Sequence, residues 1–290
     1  MIILLITTAA FPSLSIRAGI HTYGQNNTVV GALETYTVKN DESLIEIARK
    51  FRLGYNEIVE ANPGLDPFIP GNGRDVRIPS ARILPDIPPY GGIVINLTEM
   101  RLYYFFRQNS LYRVATFPIG IGSEGTSTPV GKFRVIEKIV KPSWHVPESI
   151  RRENPELPRV VPAGPDNPLG SHALRLSLGS VLIHGTNRPF GIGRRASHGC
   201  IRLYPEDIPT LFKMVNTGTP VTIIRQPVKV GVSNNKVFVE VHRDDSGEKT
   251  NYFNEAASLL RKKNLLKHVD TRKLHQAVRE KKGFPVEISD

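Results

Sequence analysis

One cysteine, one tryptophan and three methionines are all that 290 residues contain of those types. A lone cysteine excludes an intrachain disulfide framework and every zinc module built from paired cysteines. No helix-turn-helix pattern, finger spacing or aromatic-basic RNA signature is present, so nucleic acid is set aside as a partner. No internal repeat or low-complexity tract appears. No apolar run reaches the ~20 residues of a membrane-spanning helix. Acidic side chains are also in short supply: 38 Lys and Arg against 27 Asp and Glu leave a formal net charge of +11. That excess favours anionic surroundings, and an anionic membrane surface or an acidic wall polymer fits it once nucleic acid is excluded.

What is present is an ordinary globular composition, 40% hydrophobic and 22% charged, in a chain long enough for two or three units. Met1 to Ala10 is apolar and the first charged side chain is Arg17. Residues 1–15 therefore read as a secretory signal, with Ser13-Leu14-Ser15 offering small residues for cleavage before Ile16. An uncleaved anchor and a buried N-terminal strand are the alternatives. Export makes the single cysteine informative, because an unpaired thiol is a liability in an oxidising compartment. The plainer alternative is a small buried hydrophobe.

Residues 34–79 read as a small unit of strand, helix, helix and strand. Thr35 to Val38 alternates as a strand, and Leu44, Ile45, Ile47 and Ala48 recur at helical spacing after the Asn40 to Ser43 turn. A helix over Tyr55 to Ala61 is stopped by Asn62-Pro63-Gly64, and Asp75 to Pro79 closes the unit. Residues 80–92, with Pro85, Pro88, Pro89, Gly91 and Gly92, read as a stiff connector. Residues 93–225 carry short strands: a hairpin of Ile93 to Asn96 and Arg101 to Phe106, then Arg113 to Ile121, Gly131 to Ile139, Ala173 to Leu178, Val181 to His184 and Val221 to Ile224. Pro205 to Val215 is the one clear helix there. Many short strands separated by turns predict a mostly β, sandwich-like domain. Residues 226–290 form an α+β extension, with one strand over Lys236 to His242 and two basic amphipathic helices near Asn254 to Lys263 and Thr271 to Lys282.

The chemistry gathers at Ser197-His198-Gly199-Cys200-Ile201-Arg202. A thiolate is the attacking species, so Cys200 needs a base, and that base needs a third group to orient it. His184 ends the apolar Val181 to His184 run and is the candidate base; the Gly185 carbonyl can hold one of its ring nitrogens. In an extended segment His198 points to the same side as the thiol and can polarise a carbonyl. The Gly199 and Cys200 amides can form an oxyanion hole. Arg202 can grip a carboxylate as a fork, or pair structurally with Glu206 or Asp207. Cys200, His198 and His184 supply three potential zinc ligands with no second pair at metal spacing, so no metal is assigned.

These residues carry a resemblance. His184-Gly185-Thr186 followed by Ser197 to Arg202 resembles the signature of the L,D-transpeptidase catalytic domain, the YkuD domain. The likeness extends through the opening hairpin, Pro118 to Gly122, Thr128 to Gly131 and Val161 to Gly170. The 34–79 unit resembles the LysM glycan-binding domain through Tyr36-Thr37-Val38, Asp41 to Ala48, Asn62-Pro63-Gly64 and Ile78-Pro79. It departs where the usual Gly-Asp-Ser/Thr-Leu is Asn40-Asp41-Glu42-Ser43-Leu44. The resemblance implies a periplasmic enzyme that needs no cofactor and acts on peptidoglycan. Cys200 would attack the stem-peptide carbonyl at diaminopimelate, with His184 as base and His198, Gly199 and Gly185 in the catalytic set. Arg202, Ser197 and Thr186 would contact substrate. The thioester would pass to an amine of another stem, giving a 3-3 cross-link, or to a lysine of an outer-membrane lipoprotein. Two alternatives share these motifs: an L,D-carboxypeptidase or amidase that resolves the thioester with water, and a non-catalytic glycan-binding wall adaptor.

Overall fold

The computed structural model describes residues 19–290 apart from 124, 180 and 248; the expected leader, residues 1–15, lies outside them. The fold is mostly β.

Near the N-terminus the strands Leu33–Thr37 and Asp75–Pro79 pair antiparallel around two short helices, α1 (Leu44–Lys50) and α2 (Tyr55–Ala61). Ser43 starts α1 through a reciprocal capping box with Glu46, which satisfies two of the helix's first N–H groups. Leu44, Ile47 and Ile58 then meet Val76 and Ile78 in a fully buried core. Asn40 and Asp41, where the LysM pattern has glycine, take φ of 54° and 55°. This is the left-handed region that short polar side chains tolerate.

The central element is a nine-stranded mixed sheet. Its order is Gly19–Thr22, Leu111–Pro118, Arg101–Gln108, Gly92–Asn96, Pro220–Ile224, Gly131–Val140, His172–Leu176, Leu182–His184 and Ile201–Arg202. Side chains alternate across it, and both faces are covered. Ile93 and Ile95 join Phe117, Ile183 and Ile201 on one face, while Val94, Tyr103 and Phe105 meet Val30 and Leu84 on the other. This explains why Ile93 to Ile95 reads as a continuous apolar run rather than an alternation. The edge strand Gly19–Thr22 has no counterpart in the sequence reading, because Gly-Ile-His-Thr carries almost no hydrophobic signal.

Two elements extend the sequence reading of the catalytic region. A two-stranded ribbon, Trp144–His145 with Val160–Val161, brackets a six-residue helix, α3 (Glu148–Glu153). Only Ile150 of α3 is buried, so periodicity cannot reveal it. The helix read at 205–215 is α4 (Ile208–Met214), which buries Ile208 and Leu211 in the main core.

The C-terminal extension holds three strands where the sequence suggested one: Val228–Ser233, Lys236–Val241 and Val286–Glu287. The missed signal is Asn234-Asn235, both left-handed at φ 50° and 61°, as a two-residue hairpin turn requires. Helices α5 (Tyr252–Lys262) and α6 (Thr271–Glu280) pack Ala256, Leu260, Leu274 and Ala277 against this sheet. Among the described residues no helix is long and apolar enough to cross a membrane.

Within residues 80–92, Arg82–Ile83 pairs with Val29–Val30 and both residues are buried. Buried ion pairs join all three regions around this seam. Glu57 of α2 accepts from Arg82 and Arg101 at 2.8 and 2.6 Å. Lys229 reaches Glu99 at 2.6 Å and Glu240 at 2.9 Å.

Candidate active site at Cys200

The last two strands of the sheet run parallel, with Ile183 opposite Ile201 and His184 opposite Arg202. Paired residues in neighbouring strands share a face and successive residues alternate. Ile183 and Ile201 therefore enter the main core, while Leu182, His184, Cys200 and Arg202 project from the other face. There Leu182 and Cys200 pack with Ala173, Leu169 and the ribbon residue Trp144.

His184 is almost fully buried, and its Nδ1 donates to the Gly185 carbonyl at 2.6 Å. A carbonyl only accepts, so in the neutral ring the proton sits on Nδ1 and Nε2 is the basic nitrogen. Burial, and then the positive charge of Arg202, push the imidazole pKa down to about 4, against the opposing pull of the Gly185 and Leu169 carbonyls. Burial pushes the Cys200 thiol up, partly offset by a backbone hydrogen bond from Leu182 and by Arg202. The resting site thus holds a neutral thiol and a neutral imidazole rather than a thiolate–imidazolium pair.

The nucleophile loop is not extended. Gly199 has φ +97°, a conformation closed to other residues without strain, and the chain bends there. His198 is turned outward and about half exposed, with Nε2 3.8 Å from a Glu153 carboxylate oxygen of α3. The extended geometry expected from the sequence, with His198 beside the thiol, is not adopted. The loop's carbonyls are engaged one by one. The Ser123 N–H donates to Ser197 O at 2.8 Å, the Thr128 hydroxyl donates to Gly199 O at 3.0 Å, and the Ser197 hydroxyl donates to Cys200 O at 2.6 Å.

Ser197 and Thr186 were assigned to substrate from the sequence. Both are buried and face the chain itself: the Thr186 hydroxyl accepts the Arg188 N–H at 2.9 Å. Their geometry is that of loop supports. Arg202 donates from Nη1 to the Ala196 carbonyl at 2.9 Å, while its Nε is buried without a partner. Glu206 and Asp207, the sequence candidates for pairing with it, are taken by Arg49 at 2.8 Å and Arg52 at 3.1 Å.

The sequence reading assigned no role to Thr128 or Asn167. Thr128 links Gly122 to Gly199, accepting the Gly122 N–H at 3.1 Å. Asn167 is fully buried; its amide donates to the carbonyls of Pro142, Val161 and Pro162, and its oxygen accepts the Leu169 N–H at 2.8 Å. One asparagine thereby ties the Trp144 ribbon to the segment that leads into the His172–Leu176 strand, the neighbour of Leu182–His184. Its signal was present in the Pro-Asp-Asn-Pro context, where a loop lacks other donors. A cavity of about 490 Å³ lies beside this hub, lined by Lys141, Gly164, Gly170, Thr186 and Asn187 among others. Cavities of about 530 and 500 Å³ in the C-terminal region are remote from Cys200.

Cys200, His198 and His184 do not converge as a metal set. Among the described residues the one cluster of three candidate ligands is Glu99, Glu240 and His242, and the Lys229 ammonium already sits on both carboxylates.

Residues 91–223 match the family model for the YkuD L,D-transpeptidase catalytic domain, and residues 36–67 match the LysM domain. The probable L,D-transpeptidase YcfS of Escherichia coli K12 is 44% identical over 251 residues, covering 82% of this chain and 77% of that protein. The probable L,D-transpeptidase ErfK/SrfK of the same organism is 39% identical over 279 residues, covering 91% and 89%. Among solved structures, the Enterococcus faecium L,D-transpeptidase C442S mutant aligns at 23% identity and a TM-score of 0.35, over 46% of this chain and 49% of that one.

Proposed function

The chain belongs to the L,D-transpeptidase family, and we propose that it carries out acyl transfer on peptidoglycan through a thioester at Cys200. The observation that carries this reading is the parallel pairing of the two strands. It puts Cys200 and His184 on one face, with the Gly185 carbonyl fixing the imidazole tautomer.

The stem-peptide carbonyl at diaminopimelate is attacked by the Cys200 sulfur as His184 Nε2 takes the thiol proton. The oxyanion that forms is met by the Gly199 and Cys200 amides, which the +97° φ of Gly199 turns away from the loop's engaged carbonyls. His198, half exposed beside Glu153 of α3, is given the lesser part in this step. The tetrahedral intermediate collapses, and the imidazolium returns its proton to the departing D-alanine amine. A thioester remains, and an incoming amine repeats the sequence in reverse. The buried, unpartnered Nε of Arg202 takes a substrate carboxylate. The acceptor is an amine of a second stem or of a lipoprotein lysine, and Trp144, packed on the same Leu169–Ala173–Leu182 cluster as Cys200, shields the thioester from water. The LysM-like unit, residues 34–79, holds glycan, and residues 93–225 perform the chemistry. The net charge of +11 suits an acidic wall in the periplasm.

The test is intact-mass spectrometry after incubation with a disaccharide-tetrapeptide and, separately, a carbapenem, alongside Cys200→Ala. An adduct on the parent protein that the variant lacks supports the thioester. Released D-alanine with a cross-linked dimer indicates transfer, and a free tripeptide indicates hydrolysis. No adduct from either compound, with a titratable thiol, would leave a wall-binding adaptor.

A further inference from the structure

Between His184 and Cys200 the chain makes one excursion, and its far point lies against the LysM-like unit. After a 3-10 turn at Pro189–Gly191, the carbonyls of Ile192 and Gly193 face the first turn of α2. The Tyr55 N–H donates to Ile192 O at 3.1 Å and the Asn56 N–H donates to Gly193 O at 3.3 Å. These are opening amides of the helix, for which no intrahelical carbonyl exists. On the other side the Gly193 N–H donates to Ile119 O at 3.0 Å and Arg194 O accepts from Ile121 N–H at 3.2 Å. The segment is thus clamped between α2 and the sheet. Gly193 has φ +78°, and a Cβ there would lie 2.1 Å from the Tyr55 nitrogen. The Arg194 guanidinium lies 3.6 Å from the centre of the Tyr55 ring. One residue later the Arg195–Ser197 strand begins, and it delivers His198, Gly199 and Cys200.

The other end of the clamp is also fixed. Glu57, two residues beyond Tyr55, is buried against Arg101 and Arg82, and the Asn56 side-chain Nδ2 donates to Glu99 O at 3.3 Å. A continuous path of buried contacts therefore runs from the hairpin at Arg101 through α2 to the loop that carries the nucleophile.

We propose that Tyr55, at the start of α2, is a positioning residue for acyl transfer: its backbone amide and ring, with Arg194 and Gly193, hold the nucleophile loop in its reactive geometry, so that the docked LysM-like unit is a working part of the active site. The proposal rests on the acyl-transfer reading above. It assigns the unit a role separate from glycan binding.

The decisive variant is Tyr55→Pro in the full chain. Proline at the first helical position keeps the helix but removes the N–H together with the ring, so its effect is read against Tyr55→Ala. Gly54, at φ −81° and ψ 160°, already has the backbone a residue before proline requires. Tyr55→Ala retains the amide and removes the ring, and Tyr55→Phe retains both. Single-turnover acylation by a carbapenem is followed by intact mass across concentrations, and thiol alkylation by iodoacetamide is followed in parallel. A displaced loop should slow carbapenem acylation at saturation about tenfold or more in Tyr55→Pro, because a small misplacement of reacting groups is costly. Half-saturation and alkylation should stay within about twofold, since alkylation needs no oxyanion pocket. Tyr55→Phe should match the parent. Parent-like acylation by Tyr55→Pro overturns the proposal and leaves the thioester reading intact. Equal slowing of acylation and alkylation also overturns it, because that marks a general loss of thiol access. Should Tyr55→Pro fail to fold, Arg194→Met decides: slowed acylation with normal alkylation supports the proposal, and an unchanged rate overturns it. A parent protein that forms no adduct removes both readings together.

Discussion

His184 and Arg202 stand opposite each other on adjacent parallel strands, so a guanidinium faces the imidazole that is to act as base. Its charge adds to burial in disfavouring the protonated ring. The same cation favours the thiolate form of Cys200. One arginine therefore biases both groups, against the imidazolium and towards the thiolate.

The pH dependence of acylation should reflect this arrangement. With its pKa near 4, His184 is already deprotonated at pH 5, so the acylation rate should be nearly flat from about pH 5 to 7 and fall only as pH approaches the folded value. In Arg202→Met the imidazole protonates more readily, and the acid limb should move to higher pH. Carbapenem acylation rates between pH 4 and 8 check both points; an unmoved limb in the variant would remove Arg202 from the electrostatics of the base. Folding follows the same sign. The unfolded chain takes this proton first, so the contribution to stability is intact at pH 7 and erodes as pH falls from about 6.5 towards 4.

The two histidines should separate in mutagenesis. His184→Gln removes the base and should slow acylation by about 10²–10⁴-fold. His198 is half exposed and faces Glu153 rather than a buried partner, so His198→Ala should cost at most about tenfold, or ~1.4 kcal/mol of barrier. Single-turnover rates measure both, and a larger loss at His198 than at His184 would reverse their assigned weights.

Gly199→Ala isolates the bend. A Cβ at this position finds no contact closer than 3.5 Å, so the obstacle is the φ of +97° rather than space. The strain should cost about 1–3 kcal/mol. The loop should relax by turning its amides, so acylation should fall at least about a hundredfold, as when an oxyanion donor is removed. Thermal melts and acylation rates together distinguish this from simple unfolding.

The sequence made the two ends of the site legible and left its supports hidden. His184 and Cys200 stand out because histidine and cysteine are rare and flanked by glycine, and because His184 ends a short apolar strand. Thr128, Asn167 and the Leu182 amide act through contacts made 18 to 71 residues away, at Gly199, Pro142 and Cys200, and residues of this kind carry no periodic signal. Arg202 shows the converse case. Its proximity to Glu206 and Asp207 in sequence suggested an ion pair, but α1 and the residues after it deliver Arg49 and Arg52 to those carboxylates from more than 150 positions away. The buried strand Val228–Ser233 was missed for a related reason: Lys229 looks like a solvent-facing residue, yet it is completely enclosed by Glu99 and Glu240.

The Arg82–Glu57–Arg101 triad should dominate the attachment of α2. Burial alone would raise the Glu57 carboxyl, but Arg101 and Arg82 outweigh it and hold the group below the usual carboxylate range. Glu57→Ala leaves two guanidiniums enclosed without their shared anion and should cost about 3–5 kcal/mol. Glu57→Gln keeps the volume and some hydrogen bonding but not the charge, and should also destabilise. Because the folded pKa is depressed, the contribution is present at neutral pH and is lost as pH falls through the folded value, so the difference between parent and Glu57→Gln should shrink in acid. Denaturant unfolding at pH 7 and pH 3 measures it. Replacing all three residues by apolar side chains of similar volume should restore much of the stability, since charges that no longer exist need no compensation. If Glu57→Ala unfolds at the parent's midpoint, the buried triad is not what fastens α2 to the sheet, and the exposed Arg49–Glu206 pair and backbone contacts of Tyr55 and Asn56 would have to fasten it.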